Sequence, residues 1–306
     1  MLWVRLLLEA AFRLGPPLLY AALGETFAER SGIINIGIEG LMLTGAFLGF
    51  IGTFSTGSYL VGLGSAVAGA LVLGLAFAFL TITVRANQIV VGAALNIFSL
   101  GITGFFFRTS YGGLTTVRAI SIETLPLLPI PLLSDIPFLG PVLFQQSLLV
   151  YLALLLVPLS FFIIHRTALG LAIQAVGEYP RAADTAGINV YRIRYLCTLI
   201  GAVLAGIGGA FLSIAHTGTF IENMTAGRGF IALAVVILGR WNPYGVLIGA
   251  LTFGASFALQ LRLQTAGTQV PYQFLQALPY IVTILAVTAF RSRIAAPKAL
   301  AVPYTG

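Results

Sequence analysis

Gly24-Glu25-Thr26-Phe27-Ala28-Glu29-Arg30-Ser31-Gly32-Ile33-Ile34-Asn35-Ile36-Gly37-Ile38-Glu39-Gly40 lies between two long apolar segments of a 306-residue chain. Carboxylates, an Arg, an Asn and several glycines are out of place facing lipid, so this joint should face protein, water or a solute path. Around it the chain is 58% hydrophobic and 8% charged. Many of its apolar runs approach the ~20 residues that span a ~30 Å hydrocarbon core. The fold class is therefore an all-α polytopic membrane protein. The net charge of +7 reflects a shortage of acids rather than a basic tract, since Lys298 is the sole lysine and the arginines are scattered; no nucleic-acid partner is expected. The single cysteine, Cys197, lies in an apolar stretch and reads as a packing residue, because one thiol builds neither a disulfide framework nor a Cys-based metal site. The apolar N-terminus meets Gly24 without an A-x-A cleavage site, so a removable signal peptide is not expected.

About nine passages follow, near 4–24, 33–53, 59–84, 88–107, 146–164, 195–215, 222–239, 244–261 and 273–290. The seventh is the weakest, because His216 to Arg228 is polar and Gly-rich, and a short or re-entrant helix is expected there. Pro16-Pro17 should kink the first passage, and Arg5, Glu9 and Arg13 share one face that should meet protein or head groups. With 165–194 and 291–306 cytoplasmic, the inner side collects Arg30, Arg85, Arg166, Arg181, Arg192, Arg194, Arg240, Arg291, Arg293 and Lys298. The outer side then holds Arg5, Arg13, Arg108, Arg118, Arg228 and Arg262. This bias favours an inside C-terminus, and an odd passage count then puts the N-terminus outside.

Two segments depart from the apolar background. Residues 108–145 hold Pro126, Pro129, Pro131, Pro137 and Pro141 and read as a long external loop, with a short surface helix and a docking face. In 165–194, Pro180 can begin a helix with small residues after its first turn, and Gly187 can end it in a left-handed cap. Its alanines can enter a groove on another protein, with Glu178, Arg181 and Asp184 at the rim. An ordinary amphipathic loop helix fits the same residues.

The order His165-Arg166-Thr167-x-Leu169-Gly170, then Ala182-Ala183-x-x-Ala186-Gly187-Ile188-Asn189, resembles the coupling-helix loop of ATP-binding cassette (ABC) importer permeases. The branch is that of simple sugars, branched-chain amino acids and nucleosides. The run Glu29 to Phe47 looks most like nucleoside-type members, and Ala232 to Trp241-Asn242-Pro243-Tyr244-Gly245 through Ala250 is a third match in the same order. The extra N-terminal helix that sugar-type relatives often carry is missing. The resemblance implies a single permease domain over 1–306 with a type II-like importer bundle, in a bacterial-type plasma (inner) membrane. Two permease subunits, identical or different, would form the path, two ABC ATPase subunits would dock on the coupling helices, and an extracytoplasmic substrate-binding protein would deliver solute. Gly177, Glu178, Pro180, Arg181, Ala182, Ala183 and Gly187 are the coupling residues it implies, with Ala182 and Ala183 resting in the ATPase groove. The chain has no Gly-x-x-x-x-Gly-Lys-[Ser/Thr] run, so ATP hydrolysis falls to the partner, and neither cofactor nor metal is implied.

Candidate solute contacts are polar groups within or beside spans: Asn35, Glu39, Gln88 and Asn96. Asn35 and Glu39, four apart, share a face. Glu39 has a competing role, since a carboxylate beside glycines can accept backbone N–H bonds and pin a helix break. His216 reads as a satisfied or surface imidazole rather than a ligand, and Phe27, Phe47, Phe98, Phe105 and Phe106 as packing or lipid-facing rings rather than stacking partners of a base. Gly62, Ala66, Ala70 and Gly74, and Gly201, Ala205 and Gly209, form small-residue stripes that read as helix packing. Glu39 is taken as the sole carboxylate within a central span. With no Asp/Glu/His ladder, that favours a neutral polar solute such as a nucleoside over a proton-coupled carrier. A secondary carrier leaves the 177–190 helix without a task, and two distant histidines with one cysteine make no enzyme site.

Overall fold

Pro16 and Pro17 lack amide protons and hold φ near that of a helix, so they start a helix well and continue one badly. The computed structural model describes residues 2–112, 121–266, 272–289 and 296–305. In it the first apolar segment is divided at Gly15 into α1 (Leu2–Leu14) and α2 (Pro16–Arg30), bent by 50°. The remaining helices are α3 (Ile38–Thr56), α4 (Tyr59–Ala78, with a π-helical end at Phe79–Thr83), α5 (Gln88–Tyr111) and α6 (Leu148–Arg166). Two short helices follow, α7 (Ala168–Glu178) and α8 (Pro180–Thr185). The last four are α9 (Val190–Ala210, π-helical to Thr217), α10 (Arg228–Leu238), α11 (Pro243–Thr265) and α12 (Tyr272–Ala289).

Among the described residues six helices are long and apolar enough to cross a membrane, and the bent α1–α2 pair makes a seventh. The polytopic all-helical class is as expected; length and composition alone count six or seven of the about nine expected passages among the described residues. The expected seventh passage is one of the two left uncounted, with α12 the other. Its helix, α10, has 11 residues and is about 16 Å long, half the ~30 Å core. The first boundary also moves: α2 runs on to Arg30, and residues 31–37 are not helical.

α9 is the hub. The α4 stripe lies along it in antiparallel order: a Cβ on Gly62 would meet Ile214, Gly206 packs on Ala66 and Ala70, and a Cβ on Gly74 would sit 2.4 Å from Ala202. Gly24 of α2 faces Gly201, and a Cβ built on Gly45 of α3 would fall 2.2 Å from the Gly206 carbonyl oxygen. Small residues here let backbones touch, which is how helices associate where lipid removes the hydrophobic drive. Cys197 is buried beside Phe27, Ile164 and Ile173.

The expected external loop begins later than 108, because α5 continues to Tyr111. Its described part carries an antiparallel pair, β1 (Leu127–Pro129) with β2 (Gln145–Ser147), and a π-helical turn at Gly140–Phe144. It is tied to the α9 end through Ile122 N–H to Gly218 O (2.8 Å) and Leu125 N–H to Ile214 O (3.1 Å). At the same end Arg108 forms a two-bonded pair with Glu222, and Arg262 lies over the Trp3 ring. The opposite end collects Arg30, Arg85, Arg194 and Lys298, joined to Trp241, Tyr191, Val302 and Tyr179 respectively. These arginines of the expected inner and outer groups thus separate to two ends, whereas Arg228, expected outside, lies at the start of α10 over the Phe257 ring. Arg118, Arg291 and Arg293 lie outside the described residues.

Candidate functional site

Between α2 and α3 the chain turns back inside the bundle without helical hydrogen bonds, so its amides need other acceptors. Gly32, at φ +91°, ends α2. The Asn35 N–H then donates to Glu25 Oε1 (2.7 Å) and the Ile34 N–H to Gln88 Oε1 (2.9 Å). Asn96 closes the turn from α5: its Oδ1 accepts the Gly40 N–H (2.8 Å), and its Nδ2 donates to the Ile36 carbonyl (2.9 Å). Gly37 and Gly92 permit this approach, since a Cβ on Gly92 would lie 2.7 Å from the Gly37 nitrogen. Asn87 caps α5 by accepting the N–H groups of Ile89 and Val90.

Glu39 begins α3 and reaches the start of α10. Its Oε1 accepts the Gly227 N–H (2.8 Å) and its Oε2 the Gly229 N–H (2.6 Å). A carboxylate across two free amides at a helix N-terminus satisfies both donors and opposes the helix dipole. Gly229 must be glycine, because a Cβ would sit 2.6 Å from the Glu39 backbone nitrogen. Both Glu39 oxygens are thereby occupied by backbone amides.

Two further carboxylates correct the expectation that Glu39 stands alone in a central span. Glu25 and Glu29, on α2, are 1% and 2% exposed. Glu25 holds the Asn35 amide, and Glu29 accepts from the indole Nε1–H of Trp241, whose carbonyl in turn accepts Arg30 Nε and Nη2 at 3.2 and 3.1 Å. Their signal in the sequence is a pair of i, i+4 acids before an Arg, but their partners are remote along the chain. Through Glu29, Arg30 and Glu39, the run 24–40 is bonded directly to the run 227–241 that begins α10 and carries Trp241.

The four expected solute contacts are brought together around this break, in different states. Glu39 and Asn96 are engaged on the backbone through both polar atoms of their side chains. Asn35 is buried with Oδ1 lacking a hydrogen-bond partner, and Gln88 is buried with Nε2 in the same condition. The phenylalanines divide as packing and surface: Phe27 and Phe47 are buried, Phe47 edge-on to Phe220 at 5.2 Å, while Phe98, Phe105 and Phe106 are exposed on α5, the least buried of the long helices. His216 is exposed. Among the described residues no group of three or more His, Cys, Asp or Glu side chains converges.

At the end carrying Arg30, Thr167 caps α7 by accepting the Gly170 N–H (3.1 Å). Pro180 opens α8 and Gly187, at φ +84°, closes it, with Gly187 N–H to Asp184 O (2.9 Å) and Ile188 N–H to Ala183 O (3.0 Å). The outer surface is Tyr179, Arg181, Ala182, Asp184, Thr185, Ala186 and Gly187. Glu178 and Pro180 are half-buried, and Gly177 is pressed on the Arg30 carbonyl. Ala183 corrects the expectation that both alanines face a partner: it is 3% exposed and packs on Val176, Val190 and Tyr304 of its own chain. A one-residue step on a helix rotates the side chain by about 100°, and Ala182 is exposed where Ala183 is buried.

Comparison with known proteins adds three findings. The family described as branched-chain amino acid transport system, permease component, matches residues 7–287. The chain is 39% identical to the guanosine ABC transporter permease protein of Bacillus subtilis, over 94% of this chain and 92% of that one. It is 38% identical to the nucleoside ABC transporter permease protein of Lactococcus lactis, over 94% and 93%. It is also 38% identical to a provisionally named glucose ABC transporter permease protein of Haloferax volcanii, over 97% of each. No solved structure matches the chain.

Proposed function

The chain belongs to the branched-chain amino acid transport system permease family, whose members are membrane subunits rather than enzymes, and from that premise we propose that it is the nucleoside-carrying permease of an ATP-driven importer. ATP is hydrolysed by separate ABC ATPase subunits. An extracytoplasmic substrate-binding protein delivers the solute, and a second permease chain, a copy or a relative, covers the exposed face of α5. The membrane is a bacterial-type plasma membrane, and the end with Arg30, Arg85, Arg240 and Lys298 faces the cytoplasm. The nine crossings of this reading are the six long helices, the bent α1–α2 pair, residues 218–238 with a non-helical outer half, and α12.

The observation that carries the reading is the Glu39 clamp on α10. It gives the bundle a half-length helix whose start lies within the protein, beside a non-helical turn, an arrangement tolerated at membrane depth where a protein cavity or path is lined. A neutral polar solute fits because Glu25, Glu29 and Glu39 are each committed to a hydrogen-bond donor of the protein. The spare groups are an amide oxygen on Asn35 and an amide nitrogen on Gln88. Those are the acceptor and donor that a base or ribose would meet once α5 moves from α3. Exposed residues of α8, led by Ala182, dock the ATPase, so that its closure shifts the bundle between inward-open and outward-open states.

The test is reconstitution of the complex with its ATPase and binding protein, followed by uptake of labelled guanosine and of glucose. ATP-dependent guanosine uptake that glucose does not compete is expected. Uptake of glucose alone would move the chain to the sugar reading that its third relative represents, and uptake by the permease without ATPase would sink both.

A further inference from the structure

The segment 296–305 belongs to none of the motifs described so far, yet it touches each moving part at the Arg30 end. Its turn is closed by Leu300 N–H to Pro297 O and Val302 N–H to Ala299 O, with Ala301 at φ +62°. From that turn the Ala299 N–H donates to the carbonyl of Gly177, at the end of α7 (2.9 Å). The Ala301 N–H donates to the carbonyl of Gly32, at the α2–α3 break (3.1 Å). Val302 O accepts from Nη1 of Arg194 on α9 (3.1 Å). Tyr304 inserts its ring among Val176, Ala183 and Val190, 5.6 Å from Tyr191, and its hydroxyl is bonded to Asp184. Lys298 is bonded to the Tyr179 hydroxyl.

α8 has six residues, too few to hold a helix in water unaided. One of its side chains, Ala183, is buried, and it rests on Tyr304. The direction in which α8 presents Ala182 is therefore set by the segment behind it. Arg194 of α9 lies beneath the segment. This residue is 1% exposed, and Nε and Nη2 of its guanidinium lack an acceptor. A buried cation short of two acceptors is better solvated when exposed to water, which works against the hydrogen bonds that hold the segment down.

We propose that residues 296–305 form a clasp that positions the coupling helix relative to the α2–α3 break, with Tyr304 as its positioning residue. The proposal rests on the reading of α8 as the ATPase-docking helix. Motion imposed on α8 passes through Tyr304 and the Ala299 and Ala301 amides to Gly32, three residues from Asn35. A groove of about 540 Å³ between α8 and the clasp, lined by Arg181, Ala182, Lys298 and Thr305, makes the two elements one surface toward the ATPase.

The test uses the full complex in proteoliposomes and reads ATP hydrolysed per solute carried, beside copurification of the ATPase. Tyr304→Ala should keep the ATPase bound and raise that ratio roughly tenfold, within the range of ordinary coupling energies. Tyr304→Phe keeps the ring and should stay near wild type. A two-glycine insertion after Leu300 lengthens the clasp between its Gly177 and Gly32 bonds without deleting a side chain, and serves if Tyr304→Ala does not accumulate; the same rise is expected. A wild-type ratio in folded Tyr304→Ala, or in the folded insertion variant, overturns the clasp. Wild-type complex that imports without ATP would instead overturn the underlying permease reading, so the two failures are distinct.

Discussion

Replacing Glu39 separates a structural pin from a solute contact. Its two oxygens hold two amides at 2.8 and 2.6 Å. Gln keeps one acceptor oxygen and turns an NH2 group toward the other amide, so one charge-assisted bond is lost and a buried donor is left bare, a cost of ~2–3 kcal/mol. Glu39→Ala strands both amides and removes the charge opposing the α10 dipole, for about 3–5 kcal/mol. At roughly 2–4 °C per kcal/mol, Glu39→Gln should melt about 5–10 °C below wild type in detergent. The assay is thermal unfolding of the purified permease, paired with competition uptake over a panel of nucleosides and sugars. The expected result is a lowered melting temperature with an unchanged order of solute preference. An unchanged melting temperature with a reordered panel would refute the pin and make the carboxylate a solute ligand.

Asn35 and Asn96, which look alike in sequence, should diverge: Asn35→Ala lowers uptake with assembly intact, whereas Asn96→Ala, which strips the Gly40 amide and the Ile36 carbonyl, lowers stability first. Equal effects of the two on melting would contradict this. Gly45→Ala drives a methyl to 2.2 Å from the Gly206 carbonyl and should lower the yield of folded protein, at a cost of ~1–3 kcal/mol, as read by monodisperse recovery after extraction; wild-type recovery would deny the close α3–α9 contact. Ala182→Trp should fold normally and lose the ATPase on copurification, whereas Ala183→Trp should displace Tyr304 and lower stability of the permease itself. ATPase binding that survives Ala182→Trp at the wild-type level would remove α8 from the docking surface.

What can be read from the chain alone is governed by local sterics. Pro16, Pro180, Gly187 and the α4 stripe act through their own backbone or their own helix face, so spacing is enough to place them. Glu39 is legible as a choice between two roles because its neighbours are glycines, although the amides it holds are nearly 190 residues away. Glu25 and Glu29 are legible only as groups that should avoid lipid; the sequence leaves protein and water equally open to them, and only the fold brings Trp241 and the Asn35 amide to them. Ala183 escapes for another reason. A helix of six residues is too short for periodicity to say which face is inward, and the side chain that decides it, Tyr304, belongs to a segment with no pattern of its own. The residues hardest to read are thus those whose partners arrive from another part of the chain, and here they gather where the break in α2–α3 meets α8 and α10. That is where a transporter needs contacts that can be exchanged, since a contact fixed by its own helix cannot change when the helices move past one another.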